Sequence, residues 1–282
     1  MSRLFSRELL LRALSTLVLA AVTFAVLYPV LWVVRIALTP GATLAGGSAE
    51  GLSLDNFAAV LGHTNREGTW LFGRQLLASV VVSTATTLVG VVLSVGAAYA
   101  LSRMRFPGRD GFLRTLLISQ MFPGVAVAVP LYYLLGSLGL LNSWVGLTLV
   151  YATTSVPFCA NLLKGYFDTI PKELEEAAAI DGAKPRVIFW RIVLPLARPG
   201  IAVTALFCFL TAWNEFILAA TFLGEEAAYT LPVALQQYVG DYSTEWGKFA
   251  AGAVLVSVPV AALFYALQRH LVGGLTAGGV KG

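Results

Sequence analysis

The residue whose type and position most suggest chemistry is Glu215, a carboxylate that follows Asn214 in an otherwise uncharged apolar run. A carboxylate inside an apolar segment is energetically costly, and it usually faces a polar interior or a partner. Two roles therefore remain open for Asn214 and Glu215. They could lie along a polar pathway or at a gate, or they could form an interhelical hydrogen bond that only holds helices together.

Other reactive patterns are scarce in the sequence. The two cysteines, Cys159 and Cys208, each lie inside an apolar run and are interpreted as small hydrophobic residues rather than as a disulfide or a metal pair. No G-x-x-x-x-G-K-[ST] phosphate-binding loop occurs in the sequence. We therefore predict no catalytic residue, no metal site and no cofactor in this chain.

The composition places these residues in a membrane. Of the 282 residues, 57% are hydrophobic and only 12% are charged, whereas an average soluble domain carries about 25% charged residues. This excludes soluble enzymes, disordered chains and secreted disulfide scaffolds. A net charge of +4 could suggest nucleic acid in a soluble protein, but membrane proteins concentrate Lys and Arg on the cytoplasmic side. No nucleic-acid partner is expected.

Six apolar runs reach the length of about 20 residues that a membrane-spanning helix needs. The first is too long for a signal-peptide core and ends without a small-residue cleavage site, so it is predicted to stay as a span. The sequence predicts an all-α fold, one transmembrane domain over residues 1–282, with spans at about 13–37, 75–101, 112–136, 144–165, 200–222 and 248–269.

The positive charges predict how these spans are oriented. With the N-terminus inside, 15 of the 19 Lys and Arg residues fall on the cytoplasmic side and 4 fall outside. The positive-inside rule therefore predicts that both termini are cytoplasmic. The segment 166–199 becomes the largest inner loop, residues 270–282 become a cytoplasmic tail, and the aromatic and acidic loop 223–247 lies outside. Its aromatic residues are interpreted as interfacial anchors or as a periplasmic docking surface.

The inner loop 166–199 is predicted to form a helix, a turn and a second helix. Pro171 suits a first helical turn, acidic residues follow near the positive end of the helix dipole, and Gly182 supplies the left-handed residue that commonly ends a helix. Leu174, Ala177 and Ala178 recur at i, i+3 and i+4 and are predicted to form one apolar face. The hairpin could be a simple connector, but its small apolar residues would let the groove of another protein approach closely.

This loop resembles the EAA loop of permeases from ATP-binding cassette (ABC) importers. The resemblance rests on Glu176-Ala-Ala-Ala-Ile-Asp-Gly-Ala183 and, downstream, Ile192-Val-Leu-Pro195. It extends to Asn214-Glu-Phe216 and to the tail Gly274-Leu-Thr-Ala-Gly-Gly-Val-Lys-Gly282. Together these features look like the MalG-type permeases of importers for maltose and related oligosaccharides, and they cover most of the chain after residue 166.

The resemblance implies a division of labour in the prokaryotic inner or plasma membrane. This chain would pair with a second, homologous permease, two ATPase subunits would hold ATP and Mg, and a periplasmic or lipid-anchored binding protein would deliver the sugar. The EAA loop would couple to the ATPase, and the tail would contact it. The residues that carry these roles are Leu174, Glu176, Ala177, Ala178, Asp181, Gly182 and Ala183 in the loop and Gly278, Gly279 and Lys281 in the tail.

Two other functions compete with the importer. A secondary transporter usually carries several intramembrane charges for ion coupling, whereas this sequence offers only Glu215. A membrane scaffold would not need a docking hairpin with a glycine stop, although it could have one. Within the importer hypothesis, Glu215 is expected to matter for transport more than for folding. The transported sugar stays open among maltose, maltodextrins, trehalose and other oligosaccharides.

Overall fold

In a computed structural model, the described backbone covers residues 2–41, 51–122, 124–240 and 244–279, and side chains are described from residue 11 to residue 268 within those ranges. Across these ranges the secondary structure is helical, with two isolated β-bridges and no strand. This confirms the predicted all-α class. The chain divides into two compact units, residues 1–63 with 235–257 and residues 64–234 with 258–282.

The first unit contains helix α1, Ser2–Ala37, the short helix α2, Asp55–Leu61, and the beginning of the last helix of the chain. Apart from its C-terminal end, the apolar length of α1 is exposed on all sides, which suits a helix that faces lipid. The side-chain amide of Asn56 in α2 donates to the carbonyls of Ala37 and Thr39, at 3.0 and 3.1 Å. These bonds fix α2 at the end of α1.

The second unit is built around three long helices that pack on one another: α3, Leu71–Arg103, α6, Trp144–Thr169, and α10, Arg198–Asn214. Small residues on α3 permit the close approach. Ser94 Oγ donates to the Val156 carbonyl in α6 at 3.2 Å, and a Cβ added at Gly90 would lie 2.9 Å from Cys208 Sγ in α10. Close backbone contact of this kind is how membrane helices associate when hydrophobicity cannot drive them together.

The remaining helices follow in chain order. Helix α4 is Arg109–Ser119, α5 is Gly124–Ser137 and α7 is Glu173–Ile180. Next come α8, Pro185–Ile188, a π-helical turn at Phe189–Val193, and α9, Leu194–Leu196. After α10 follow α11, Ile217–Phe222, α12, Leu231–Gln236, and α13, Trp246–Gly279.

Four of these helices contain stretches that are long and apolar enough to cross a membrane: Leu11–Ala37 in α1, all of α3 and α6, and Trp246–Gln268 in α13. Two bent pairs bring the number to six if each counts as one span. One is α4 with α5, bent by 98°, and the other is Pro185–Leu196 with α10, bent by 70°. The described residues thus provide four to six spans.

Three predicted segments differ from the observed helices. The span 112–136 is divided between α4 and α5, with Pro123 outside the described residues, and a Pro-Gly pair is a physical reason for a break. The span 200–222 is divided at Glu215 and Phe216, between α10 and α11. In the predicted tail 270–282, the backbone of residues 270–279 continues α13 as helix.

Candidate functional site

The hairpin between α6 and α10 begins with α7, whose first turn carries three glutamates that favour a helix N-terminus. After Asp181, Gly182 adopts a φ of +83°, as predicted. The N–H groups of Gly182 and Ala183 donate to the carbonyls of Ala179 and Ala178, both at 3.0 Å. The helix therefore ends in a turn that satisfies its last carbonyls, and the left-handed residue suits glycine.

The two faces of α7 have different surroundings. Ala178 is half-buried and packs, together with Ala183, on a cluster formed by Phe167, Ile188 and Val193. Leu174 and Ala177, by contrast, are exposed. The face predicted from Leu174, Ala177 and Ala178 is therefore split, and Ala178 contributes mainly to the packing of its own chain.

Two large apolar side chains of the hairpin, beyond the predicted residues, are also exposed. Ile180 is 87% exposed and Trp190, in the π-helical turn, is 64% exposed. The i, i+3, i+4 pattern missed Ile180 because this residue falls outside that stripe. Its signal in the sequence is a large apolar side chain next to a predicted helix stop. Of the other predicted residues, Glu176, Asp181 and Gly182 are exposed.

At its base the hairpin is joined to α3 by an ion pair. Arg103, in the last turn of α3, donates from Nε to Glu175 Oε1 in α7 at 2.5 Å, and the two side chains are 8% and 15% exposed. Arg103 also donates from Nη2 to the carbonyl of Ile170, the residue after α6, at 2.9 Å. One guanidinium group therefore contacts the ends of α3 and α6 and the start of the hairpin.

A second carboxylate extends this polar network along α6. Ser102 Oγ accepts from Arg103 Nη1 at 3.0 Å and lies 2.6 Å from Asp168 Oδ1. Lys164 Nζ donates to Asp168 Oδ2 at 2.6 Å from one turn earlier. The network places two cations and two carboxylates at the end of the helix bundle from which the hairpin leaves. Sequence reasoning missed it because Arg103 and Glu175 are 72 residues apart.

Glu215 lies at the break between α10 and α11 with an extended backbone, φ −69° and ψ 128°. Its carboxylate is half-buried and has three donors within the chain. The N–H of Leu218 donates to Oε1 at 2.8 Å, the N–H of Ala219 donates to Oε2 at 3.0 Å, and the Tyr151 hydroxyl donates to Oε2 at 2.6 Å. This is the geometry of the second role considered for Glu215, that of holding helices together.

Asn214 has a different environment from Glu215. It is exposed, and its side-chain amide donates to the Leu210 carbonyl of its own helix at 2.8 Å. The two predicted pathway residues are therefore adjacent in sequence but do not share partners.

A cavity of about 800 Å³ opens where the bent pair α4–α5 faces α6 and α10. Hydroxyl groups line it from α6 and α10, and the rings of Phe158 and Phe207, 6.1 Å apart, form part of its wall. Cys159 and Cys208 also line it and are free thiols. The hydroxyl-bearing residues on those two helices are Thr153, Thr154, Ser155 and Thr211. Asn214 and Glu215 are not among the lining residues.

The predicted tail contacts fall at the end of α13. Gly278 and Gly279 are the last two residues of that helix, and Lys281 lies outside the described residues. Over the part of the chain that the structure describes, no group of three or more His, Cys, Asp or Glu residues has the arrangement of a metal site.

Comparison with known proteins connects this arrangement to transport systems. The family of the binding-protein-dependent transport system inner membrane component matches residues 90–276. The chain is similar to the trehalose transport system permease protein SugB of Mycobacterium tuberculosis, with 36% identity over 260 residues that cover 91% of this chain and 93% of that protein. It is also similar to the maltose/maltodextrin transport system permease protein MalG of Yersinia pestis, with 38% identity over 276 residues that cover 91% and 89%.

A solved structure shares the fold. A chain from a bacterial ABC transporter involved in the import of the acidic polysaccharide alginate matches with a TM-score of 0.75 and 24% sequence identity, covering 91% of this chain and 94% of that one. At that identity the match supports the fold alone, and this fold agrees with the helical bundle described above.

Proposed function

The chain belongs to the family of inner membrane components of binding-protein-dependent transport systems, and from that premise we propose that it is the sugar-transporting permease subunit of an ABC importer. Support comes from relatives named for trehalose and for maltose and maltodextrin transport, each matched over most of its length. We propose an oligosaccharide of this class as the transported molecule, in the inner or plasma membrane of a prokaryote.

The observation that carries this proposal is the hairpin with its exposed apolar side. Leu174, Ala177, Ile180 and Trp190 leave apolar surface uncovered on a segment whose other side is packed and ion-paired. Exposed apolar side chains that gather on one short segment are a feature of interaction sites. We propose that this side docks on the ATPase as the coupling helix, together with the exposed residue Glu176 of α7 and with Asp181 and Gly182 at the exposed turn that follows it. Ala178 and Ala183 pack against the buried cluster of their own chain and so hold the hairpin in place.

The remaining partners follow from the same proposal. A second homologous permease completes the pathway, two ATPase subunits bind ATP and Mg, and a periplasmic or lipid-anchored binding protein delivers the sugar. This chain then needs no cofactor of its own and catalyses no reaction. The hairpin and both termini face the cytoplasm, in keeping with the 15 to 4 division of Lys and Arg.

For the pathway, the geometry favours the cavity bordered by α6 and α10 over the pair Asn214 and Glu215. The cavity is lined by hydroxyl-bearing residues and two phenylalanine rings, whereas Asn214 and Glu215 are not among its lining residues and the Glu215 carboxylate accepts from three donors within the chain. We propose that the cavity wall forms this subunit's part of the pathway, and that Glu215 supports it from outside by holding the helix break. Gly278, Gly279 and Lys281 remain the proposed tail contacts with the ATPase.

Two neighbouring alanines of α7 provide a matched test of docking. Ala177→Trp places bulk on the exposed side, where overpacking of a close interface costs about 1–3 kcal/mol, so this variant should insert and fold normally but lose the ATPase on copurification. Ala178→Trp places the same bulk against Phe167 and Ile188 and should instead lower the thermal stability of the purified chain. If both variants copurify with the ATPase as the unaltered chain does, the hairpin is a connector only.

The unaltered chain tests the assembly and the substrate. It should copurify with a second permease and an ATPase, and deletion of its gene should abolish uptake of one labelled oligosaccharide from a panel of maltose, maltodextrins and trehalose. An isolated homodimer that transports without ATP would instead establish a secondary transporter. A chain that copurifies with no transport subunit and leaves all uptake unchanged on deletion would establish a scaffold.

A further inference from the structure

The last two turns of α3 contact both limbs of the hairpin. The first limb is α7, and the second limb is α8 with the π-helical turn that follows it. The first limb is held by the Arg103–Glu175 ion pair, in which both side chains are more than four-fifths buried. The second limb is held by Tyr99, one turn before Arg103, whose ring centroid lies 4.7 Å from that of Phe189 at the start of the π-helical turn. The Tyr99 ring also lies 6.1 Å from the ring of Phe167 in α6, at an edge-to-face angle of 79°.

The polar contacts of Arg103 hold α7 at a defined position relative to the end of α3. Its guanidinium group donates to Glu175 in α7, to the carbonyl of Ile170 between α6 and α7, and to Ser102 in its own helix. The three acceptors are bonded by three different nitrogens of one rigid planar group, a spacing that the single ammonium nitrogen of lysine cannot reproduce. Because Arg103 belongs to α3 and its acceptors include the junction residue Ile170 and Glu175 in α7, α7 cannot move away from the end of α3 without breaking a charge-assisted hydrogen bond.

We propose that Arg103, acting through Glu175, is a positioning residue for coupling: it makes the hairpin and the adjoining ends of α3 and α6 move as one body. This inference rests on the proposed function, in which the hairpin receives the movement of the ATPase. Docking uses the exposed side of the hairpin, whereas Arg103 acts on the opposite side, between hairpin and bundle. Loss of this contact lets a docked hairpin move without moving the spans.

The first experiment measures sugar uptake and ATP hydrolysis separately in the importer reconstituted with its partners. In the variants Arg103→Met and Glu175→Gln the ATPase should copurify as it does with the unaltered chain. The sugar transported per ATP hydrolysed should fall by about tenfold, within the range usual for coupling between two sites. Arg105→Met is the matched control, since it removes an exposed arginine two residues away and should leave the ratio unchanged.

A conservative variant separates positioning from simple loss of charge. Arg103→Lys keeps the positive charge beside Glu175 but cannot hold Ile170 and Ser102 at the same time, so its transport per ATP should fall between those of the unaltered chain and Arg103→Met. Unchanged transport per ATP in Arg103→Met and Glu175→Gln overturns the proposal. A parallel loss of ATPase copurification also overturns it, because the contact would then only fold the hairpin.

A cross-link provides a test that does not depend on weakening the fold. Cysteines replace Arg103 and Glu175 and are joined by a short bifunctional thiol reagent. The native Cys159 and Cys208, both buried, are replaced by alanine, and because they line the proposed pathway the chain with only these two replacements is the reference for transport per ATP. If the two positions move as one body, the cross-linked importer should regain the transport per ATP that the uncross-linked double variant has lost. Transport that stays low after complete cross-linking shows that the two ends must separate during the cycle, and it overturns the proposal.

Measurements on the unaltered complex show whether a negative result contradicts the proposed function or only the role of Arg103. If the unaltered chain binds no ATPase, the proposed function fails and the inference fails with it. If the unaltered chain binds the ATPase and transports sugar while the variants match it in transport per ATP, only the inference about Arg103 fails.

Discussion

The chain turns sharply at the ends of α7 and α10, and it stabilises the two turns differently. At the end of α7 the turn is made by the backbone, with Gly182 at a φ of +83° and no atom within 4 Å of an added Cβ. At the end of α10 the turn is made around a side chain, because the Glu215 carboxylate accepts the N–H groups of Leu218 and Ala219 at the start of α11.

The surroundings of the two turns explain the difference. The hairpin turn is exposed, so water can bond any backbone group that the turn leaves free, and a residue of suitable conformation is sufficient. The break at Glu215 lies in an apolar run with few polar side chains, where water is scarce and backbone groups must find partners inside the protein. A carboxylate supplies two acceptor atoms there, and Tyr151 supplies a donor that stabilises its charge.

The largest effect is expected from removal of the carboxylate. Glu215→Ala leaves the N–H groups of Leu218 and Ala219 and the Tyr151 hydroxyl without their acceptor, and it should lower the free energy of unfolding by roughly 3–5 kcal/mol. Thermal unfolding of the purified chain in detergent measures this. Glu215→Gln keeps one carbonyl acceptor but turns an NH₂ group toward donors, so its effect should be smaller and of the same sign.

The neighbouring residue provides the control for this prediction. Asn214→Ala removes an exposed amide that bonds only within its own helix, and it should change stability by less than about 0.5 kcal/mol. If Glu215→Ala unfolds like Asn214→Ala but abolishes sugar uptake, the carboxylate has a pathway role and the comparison between the two turns is wrong.

The next effect in size concerns the donor from α6. Tyr151→Phe removes the 2.6 Å hydrogen bond to Glu215 while keeping the buried ring, and loss of a hydrogen bond to a charged group costs about 1.5–3 kcal/mol. The midpoint of thermal unfolding should therefore fall, but by less than in Glu215→Ala. Tyr132→Phe, at a tyrosine that is 44% exposed, should leave the midpoint in place. In the Glu215→Ala background the Tyr151→Phe change should add little, because the two variants remove the same bond.

The sequence predicted the hairpin turn better than the break for a physical reason. A left-handed glycine after a helical pattern is a local signal, and Gly182 was correctly identified from its neighbours alone. The contacts of Glu215 with Leu218 and Ala219 are local, but its contact with α6 depends on Tyr151, which lies 64 residues earlier, and no local pattern links the two. The sequence therefore identified Glu215 as unusual but left its two roles open.

The same distinction applies to the spans and to the candidate docking site. Apolar length identified the long helices because a membrane span needs at least about 20 apolar residues. The divisions at 123 and at 215–216 depend instead on local breaks inside apolar runs. On the hairpin, periodicity predicted one apolar face from Leu174, Ala177 and Ala178, of which Leu174 and Ala177 are exposed in the structure. It could not show that Ala178 packs on Phe167 and Val193, because these partners belong to other elements.

The smallest effect is expected at the hairpin turn, where two glycines form a matched pair. Gly182→Ala meets no steric obstacle, but alanine at a positive φ costs about 1–2 kcal/mol. Gly165→Ala, in the interior of α6 and equally free of neighbours, should instead stabilise its helix by about 0.5–1 kcal/mol. Because the turn is local, hydrogen exchange measures it better than global unfolding does. The amide of Ala183, which bonds to the Ala178 carbonyl, should exchange about 5–30 times faster in Gly182→Ala. Equal exchange in both variants would mean that the turn does not depend on its left-handed residue, and that the hairpin is held by its base alone.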